Sequence, residues 1–435
     1  MNYLEFIQYF FAINIFYQPI SLKAMKSLSI LVLIDKSIER SEKMDQQTFI
    51  HEYARERKNT NSLKWDALEE RFGDANLLPL WVADMEFATP KAVTDALTKR
   101  IAHGIFGYSG VDKEYFNTYL GWQARHENTP FKEEWLQFST VVVQTIYYLV
   151  DCFTEKGEAV MIQRPVYYPF SNAIKDKQRK LVNSPLKNVD GHYEMDLADF
   201  EAKVVSEKVK LFILCSPHNP VGRVWSEEEL ANVLTICQKH GVLVIADEIH
   251  SDFMMPGQTF TSAISVNEGA FLDHLIVLNA PSKTFNLASL LNSHIWIPNE
   301  ALRKQYRAYA KVNRQTESSL IGQVAAQAAY ANGDEWLAAL IDVIYHNYQY
   351  IKTNLEAAVP SVKVGELQGT YLLWIDLSQA LNGRTTKEVV QDQAKLAVDF
   401  GDWFVHDTKD FIRFNLATTP ANIKQAVDQL IAALK

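Results

Sequence analysis

Asn219, Asp247 and Lys283 each follow a short apolar run in this 435-residue chain. Leu211 to Cys215 leads into Ser216-Pro-His-Asn-Pro-Val-Gly222, and Val242 to Ala246 leads into Asp247-Glu-Ile-His-Ser-Asp252. Leu275 to Leu278 leads into Asn279-Ala-Pro-Ser-Lys-Thr-Phe-Asn-Leu-Ala-Ser-Leu-Leu291. Short runs without polar interruption read as strands buried on both faces. In an open α/β sheet the loops at the carboxyl ends of such strands gather in one crevice. An amide, a carboxylate and an amine, spaced by 28 and 36 residues, would meet there. Singly, each has a plainer reading: a turn asparagine between prolines, a loop-capping aspartate, a solvated lysine. Together they suit pyridoxal phosphate, which needs an amine for a Schiff base, a carboxylate to keep its ring nitrogen protonated and a donor to its ring hydroxyl.

The elements that must position these groups follow from the apolar pattern. Between about Ser139 and Asn299, apolar runs at Ala159–Ile162, Val209–Leu214, Gly241–Ala246, Leu275–Leu278 and His294–Ile297 alternate with amphipathic stretches. One stretch, Ser226 to His240, crowds glutamates into its first turn, where the helix dipole favours them. This is an α/β pattern with a largely parallel sheet. After Asn299 come three helical periods, Glu300–Asn313, Ser318–Ala331 and Glu335–Val359. Beyond Val362 the runs Tyr371–Asp376 and Phe411–Leu416 read as strands, and Ala421–Lys435 as a closing helix. The expected architecture is a three-layer αβα large domain, residues 91–329, with a mostly parallel sheet, and a smaller α+β domain assembled from residues 44–90 and 330–435.

Charge and composition limit the function classes. With 43 basic and 52 acidic residues the formal charge is −9, which argues against a broad nucleic-acid surface. The basic cluster from Arg303 to Arg314 reads as the solvated face of a long helix. Cys152, Cys215 and Cys237 show no metal-ligand spacing and fit a reducing cytoplasm. Residues 1–43 have a different texture. They lack the basic start of a signal peptide, and Gln18, Pro19, Lys23 and Lys26 interrupt any membrane span. They read as an extension ahead of a start near Met44, or as a packing arm.

The motifs SPHNPVG, ADEIHSDF and SKTFNLA resemble the aspartate-aminotransferase superfamily, fold type I of the pyridoxal-phosphate enzymes. Lys64-Trp-Asp66, Trp81–Phe87, Phe106-Gly-Tyr108, Pro165–Phe170, Gly369–Trp374 and Phe411–Ala417 narrow the resemblance to its bacterial cystathionine β-lyase branch, from Met44 onward. The resemblance implies that Lys283 binds the cofactor covalently and moves the substrate α-proton. It implies that Asp247 pairs with the ring nitrogen, Asn219 with the ring hydroxyl, and that Tyr167 stacks on the ring face. The amides of Val142 and Val143 and the hydroxyl of Ser282 would receive the phosphate at a helix N-terminus. Tyr108 would reach the phosphate of a neighbouring subunit in a homodimer. Arg413 would clamp the substrate carboxylate, with Ala83, Tyr167 and Asn219 beside it, and His250 would lie near the ring hydroxyl. A zinc reading of His250 with Asp252 lacks a third ligand, so no metal is expected.

The implied reaction is β-elimination from L-cystathionine or a related cysteine S-conjugate, giving a thiol such as homocysteine, pyruvate and ammonia. The alternatives are an aminotransferase acting on aromatic or other amino acids, and a non-catalytic ligand-binding protein. The sequence departs from the family at Val141 and Ser289, where glycine is usual, and at Leu291, often glutamine. A valine at 141 would obstruct a phosphate loop if that position needed a positive φ.

Overall fold

A computed structural model describes residues 44–127, 129–315 and 318–435. The extension at 1–43 lies outside them, and residues 45–435 pack as one unit. The large sheet has seven strands: β1 (Leu136–Ser139), β2 (Ala159–Ile162), β3 (Lys180–Asn183), β4 (Leu211–Cys215), β5 (Leu243–Asp247), β6 (Leu275–Asn279) and β7 (Ser293–Trp296). Their spatial order is β1-β7-β6-β5-β4-β2-β3. Strands β3, β2, β4, β5 and β6 are parallel, and β7 runs antiparallel to both neighbours. Every residue of β2, β4 and β6 is buried, as double-sided helix cover requires. Strands β1 and β3 lie at the sheet edges and carry polar, half-exposed positions. One-sided burial is why their sequences lack an apolar run.

Helix Glu227–Lys239 shows why its segment folds locally. Ser226 accepts from the Glu229 amide while Glu229 reaches back to the Ser226 amide, a complete capping box. Such a cap contributes about 1 kcal/mol. Its inward stripe is Leu230, Val233, Leu234 and Cys237, the spacing of one helical face. Helix Glu300–Val312 corrects the expectation of a wholly solvated basic face. Arg303 turns inward, is 9% exposed, and donates to the carbonyls of Ile297 and Pro298 at 2.7 and 2.8 Å.

A four-stranded antiparallel sheet follows, from β8 (Lys363–Val364), β9 (Leu372–Asp376), β10 (Asp399–Phe400) and β11 (Phe411–Asn415), in the order β8-β9-β11-β10. The 25-residue helix Asp334–Ala358 packs against Pro420–Leu434 and Gln46–Tyr53. There Phe49 meets Phe87 and Trp336 at ring separations of 5.1 and 5.7 Å.

Candidate active site

The register of the parallel strands builds the site. Cys215 pairs with Asp247, and Asp247 pairs with Leu278, so β4, β5 and β6 end level with one another. Asp247 is the last residue of β5. Asn219 lies in the turn after β4, whose path is held by Gly222 at φ +73°. A Cβ on Gly222 would stand 3.0 Å from the Glu366 carbonyl oxygen, so both conformation and contact exclude a larger residue. After β6 the chain enters a one-turn helix, Pro281–Thr284, with proline at its start, and Lys283 projects from it.

These strand ends open on a cavity of about 160 Å³. Asn219, Asp247, Lys283, Tyr167, His250 and Ser282 line it, as do Ala83, Val142 and Val143. Val141 lines it too, and Cys215, Ile249 and Ala288 complete the wall without having been foreseen; these three are apolar or weakly polar residues with no distinguishing pattern. Tyr108, in contrast, is fully exposed and does not line this cavity.

The electrostatics favour a reactive amine. Burial lowers Lys283 to about 8, although Asp84 and Asp247 pull it upward. Its Nζ donates to the Ala83 carbonyl at 2.7 Å. Burial raises Asp247 to about 7 against the downward pull of the Ile249 amide and Lys283. A cationic ring nitrogen beside Asp247 would reverse that rise. The Asn219 side-chain oxygen accepts from Arg413 Nη1 at 2.9 Å, leaving its side-chain NH₂ as the donor for a ring oxygen. Burial, reinforced by Lys283 and Arg413, depresses His250, and its buried Nδ1 has no partner.

Helix Val142–Phe153 begins at this cavity without a side-chain cap. Its first amides are therefore available to an anion. Val141 has φ −145°, extended backbone open to any residue, so the feared obstruction does not arise. Ser289 lies in the turn Ala288–Leu290 and also lacks a positive φ. Leu291 is the departure with a conformational cost: it adopts φ +57° while 42% exposed.

Arg413 is not among the residues lining this cavity but bonds to one of them, Asn219. It sits in the middle of β11, 3% exposed, over the Phe404 ring at 5.2 Å. Two neighbours escaped the sequence reading. Tyr371 donates to the same Ala83 carbonyl at 2.9 Å, and Asp399 forms an ion pair with Arg413. Asp252, paired with His250 in the zinc reading, accepts from Trp122 at 2.8 Å and from Thr284.

The chain belongs to the aminotransferase class I and II family, whose model matches residues 75–430. Cystathionine beta-lyase PatB of Bacillus subtilis is 37% identical over 380 residues, covering 87% of this chain and 98% of the relative. Protein MalY of Escherichia coli is 32% identical, covering 87% and 97%. Among solved structures, cystalysin from Treponema denticola, which contains pyridoxal 5'-phosphate, superimposes with a TM-score of 0.84 at 34% identity, covering 87% and 97%. The pyridoxal-phosphate-bound C-S lyase of Staphylococcus hominis gives 0.82 at 33% identity, covering 87% and 96%.

Proposed function

We propose that this protein is a pyridoxal-phosphate-dependent carbon–sulfur lyase that performs β-elimination on L-cystathionine or related cysteine S-conjugates, releasing a thiol, pyruvate and ammonia. The observation that carries the reading is 37% identity to a cystathionine β-lyase along 87% of the chain, in a protein whose lysine, aspartate and asparagine line one cavity. When bound, the cofactor supplies an electron sink for the charge left at the substrate's α-carbon.

The chain's own groups do the rest. Lys283, lowered to about 8, offers a neutral amine to a useful extent near neutral pH and takes the α-proton at Nζ. Asp247 would hold the ring nitrogen's proton by charge pairing, and Asn219 would donate from its amide to the ring oxygen, with His250 beside them as a neutral imidazole. Tyr167 would cover the ring face, and the amides of Val142 and Val143 with the Ser282 hydroxyl would receive the phosphate. Arg413 orients the substrate by its carboxylate, beside Ala83.

The lyase is proposed to act as a homodimer. Tyr108, with exposed Ile105 and Phe106 nearby, is suited to contact a second copy and its phosphate site. No helix among the described residues is long and apolar enough to cross a membrane. A cytoplasmic setting fits three free cysteines.

An aminotransferase would use the same lysine, carboxylate and arginine, so the products decide. Purified protein with pyridoxal phosphate and L-cystathionine should release thiol, pyruvate and ammonia in equal amounts. Amine transfer dependent on a keto acid, with no thiol, would replace the lyase by the aminotransferase.

A further inference from the structure

The environment of Arg413 restricts how it can accept a carboxylate. Asp399 is the direct cross-strand partner of Arg413 between β10 and β11, so the pleat places both side chains on one face. Both are 3% exposed. Arg413 Nη2 donates to the Asp399 carboxylate and, at 3.2 Å, to the Trp81 carbonyl oxygen. Nη1 donates to Asn219, while the buried Nε has no partner. A guanidinium grips a carboxylate with two parallel N–H groups. Its two such edges are Nε with Nη2 and Nη1 with Nη2. Both include Nη2, whose hydrogens are engaged.

We propose that Asp399 controls substrate capture by Arg413: a bidentate grip on the substrate carboxylate requires Asp399 to release Nη2, and Asp399 then takes one proton from solvent. This rests on Arg413 being the carboxylate site. Two carboxylates on one buried guanidinium would leave an uncompensated negative charge, which protonation removes. The groups facing Asp399 are Arg413 from β11, Arg71 from helix Leu68–Phe72, and the phenols of Tyr167 and Tyr168 beside helix Pro169–Asp176. Burial already raises Asp399 to about 6, against the opposing pull of both arginines, so a second carboxylate acts on a group that protonates readily. Asp399 is thereby a positioning and specificity residue for Arg413.

Calorimetric titration of the holoenzyme with L-alanine, which has no leaving group, in buffers of different ionisation enthalpy counts the protons taken up. At pH 7.5 the wild type should take up about one proton more than Asp399→Asn. In the wild type alone that uptake should fade below about pH 6, where Asp399 already holds its proton. KM for L-cystathionine should rise above that pH by up to about tenfold per unit relative to the variant. Equal proton counts and parallel KM profiles would overturn the proposal. If Asp399→Asn does not fold, a wild-type uptake independent of pH between 5.5 and 7.5 also overturns it. Arg413→Lys separates the two readings. A raised KM there, together with equal proton counts in the wild type and Asp399→Asn, defeats only this inference; an unchanged KM defeats the carboxylate site itself.

Discussion

Lys283 Nζ lies 2.7 Å from the carbonyl oxygen of Ala83, 200 residues earlier in the chain. That oxygen also accepts from the Tyr371 hydroxyl at 2.9 Å. A neutral acceptor shared between two donors holds the lysine in place without the charge compensation of a carboxylate ion pair. Nearby Asp84 is instead bound by Arg57 at 2.7 Å, and the fully buried Lys64 is bound by Glu86 at 2.9 Å. The reactive amine is thus anchored while its proton stays loosely held.

Cofactor capture by the cofactor-free protein should depend on the neutral amine. With Lys283 at about 8, the rate of pyridoxal phosphate binding should rise with pH and level off above that value. Stopped-flow absorbance against pH measures this; a midpoint near 10, the ordinary lysine value, would contradict the buried-amine account. Lys283→Ala should lose the native absorption band of the bound cofactor and about 10³-fold or more in pyruvate release. Lys283→Arg should not rescue it, because arginine keeps its proton.

Asp247→Asn should separate stability from activity. A carboxylate raised to about 7 in the folded state binds its proton more tightly than in the unfolded chain. Its contribution to stability is therefore largest in acid and is lost as pH rises from about 4 towards 7. At pH 8, without cofactor, the variant should melt higher than the wild type. Pyruvate release should fall by about 10²-fold or more, since an amide cannot hold the ring nitrogen's charge.

His294 and His218 should make the protein sensitive to acid. His294 Nε2 meets the Tyr115 hydroxyl at 2.6 Å and Nδ1 meets the Asn279 side-chain oxygen at 3.0 Å. The Asn279 oxygen can only accept, so Nδ1 carries the ring proton and the Tyr115 hydroxyl, itself accepting from the Asn292 amide, donates to Nε2. Burial depresses His294 to about 3 and His218 to about 4. The unfolded chain binds these protons first, so stability present above about 6.5 is lost as pH falls towards 4. Urea midpoints at pH 7 and pH 5 should differ less in His294→Gln than in the wild type, although that variant starts lower at pH 7.

Leu291 and Val141 should respond oppositely to glycine. Leu291→Gly relieves a left-handed backbone at φ +57° and should stabilise the protein by about 0.5–1 kcal/mol. Val141→Gly relieves nothing at φ −145° and should leave cofactor affinity within about twofold. Chemical denaturation and fluorescence titration with pyridoxal phosphate measure the two. An affinity gain of tenfold in Val141→Gly would restore the obstruction inferred from the family pattern.

What the sequence determined by itself was local chemistry and its order. Unbroken apolar runs marked β2, β4, β5 and β6, because burial on both faces leaves no room for polar side chains. The glutamates crowded behind Ser226 marked a helix start. Asn219, Asp247 and Lys283 were legible because each closes such a run, and one sheet edge must collect what its strands deliver. Tertiary structure alone decided the rest. The edge strands Leu136–Ser139 and Lys180–Asn183 are half-solvated and carry no apolar signature. Arg303 turns inward from a basic helix because two carbonyls wait at its start. The Ala83 carbonyl became the rest position of Lys283 through a contact spanning 200 residues. Asp399 met Arg413 only through the register of two antiparallel strands. Local propensity and caps act within a turn or a strand, whereas partner, register and burial depend on which distant segments meet, and that is settled when the whole chain packs.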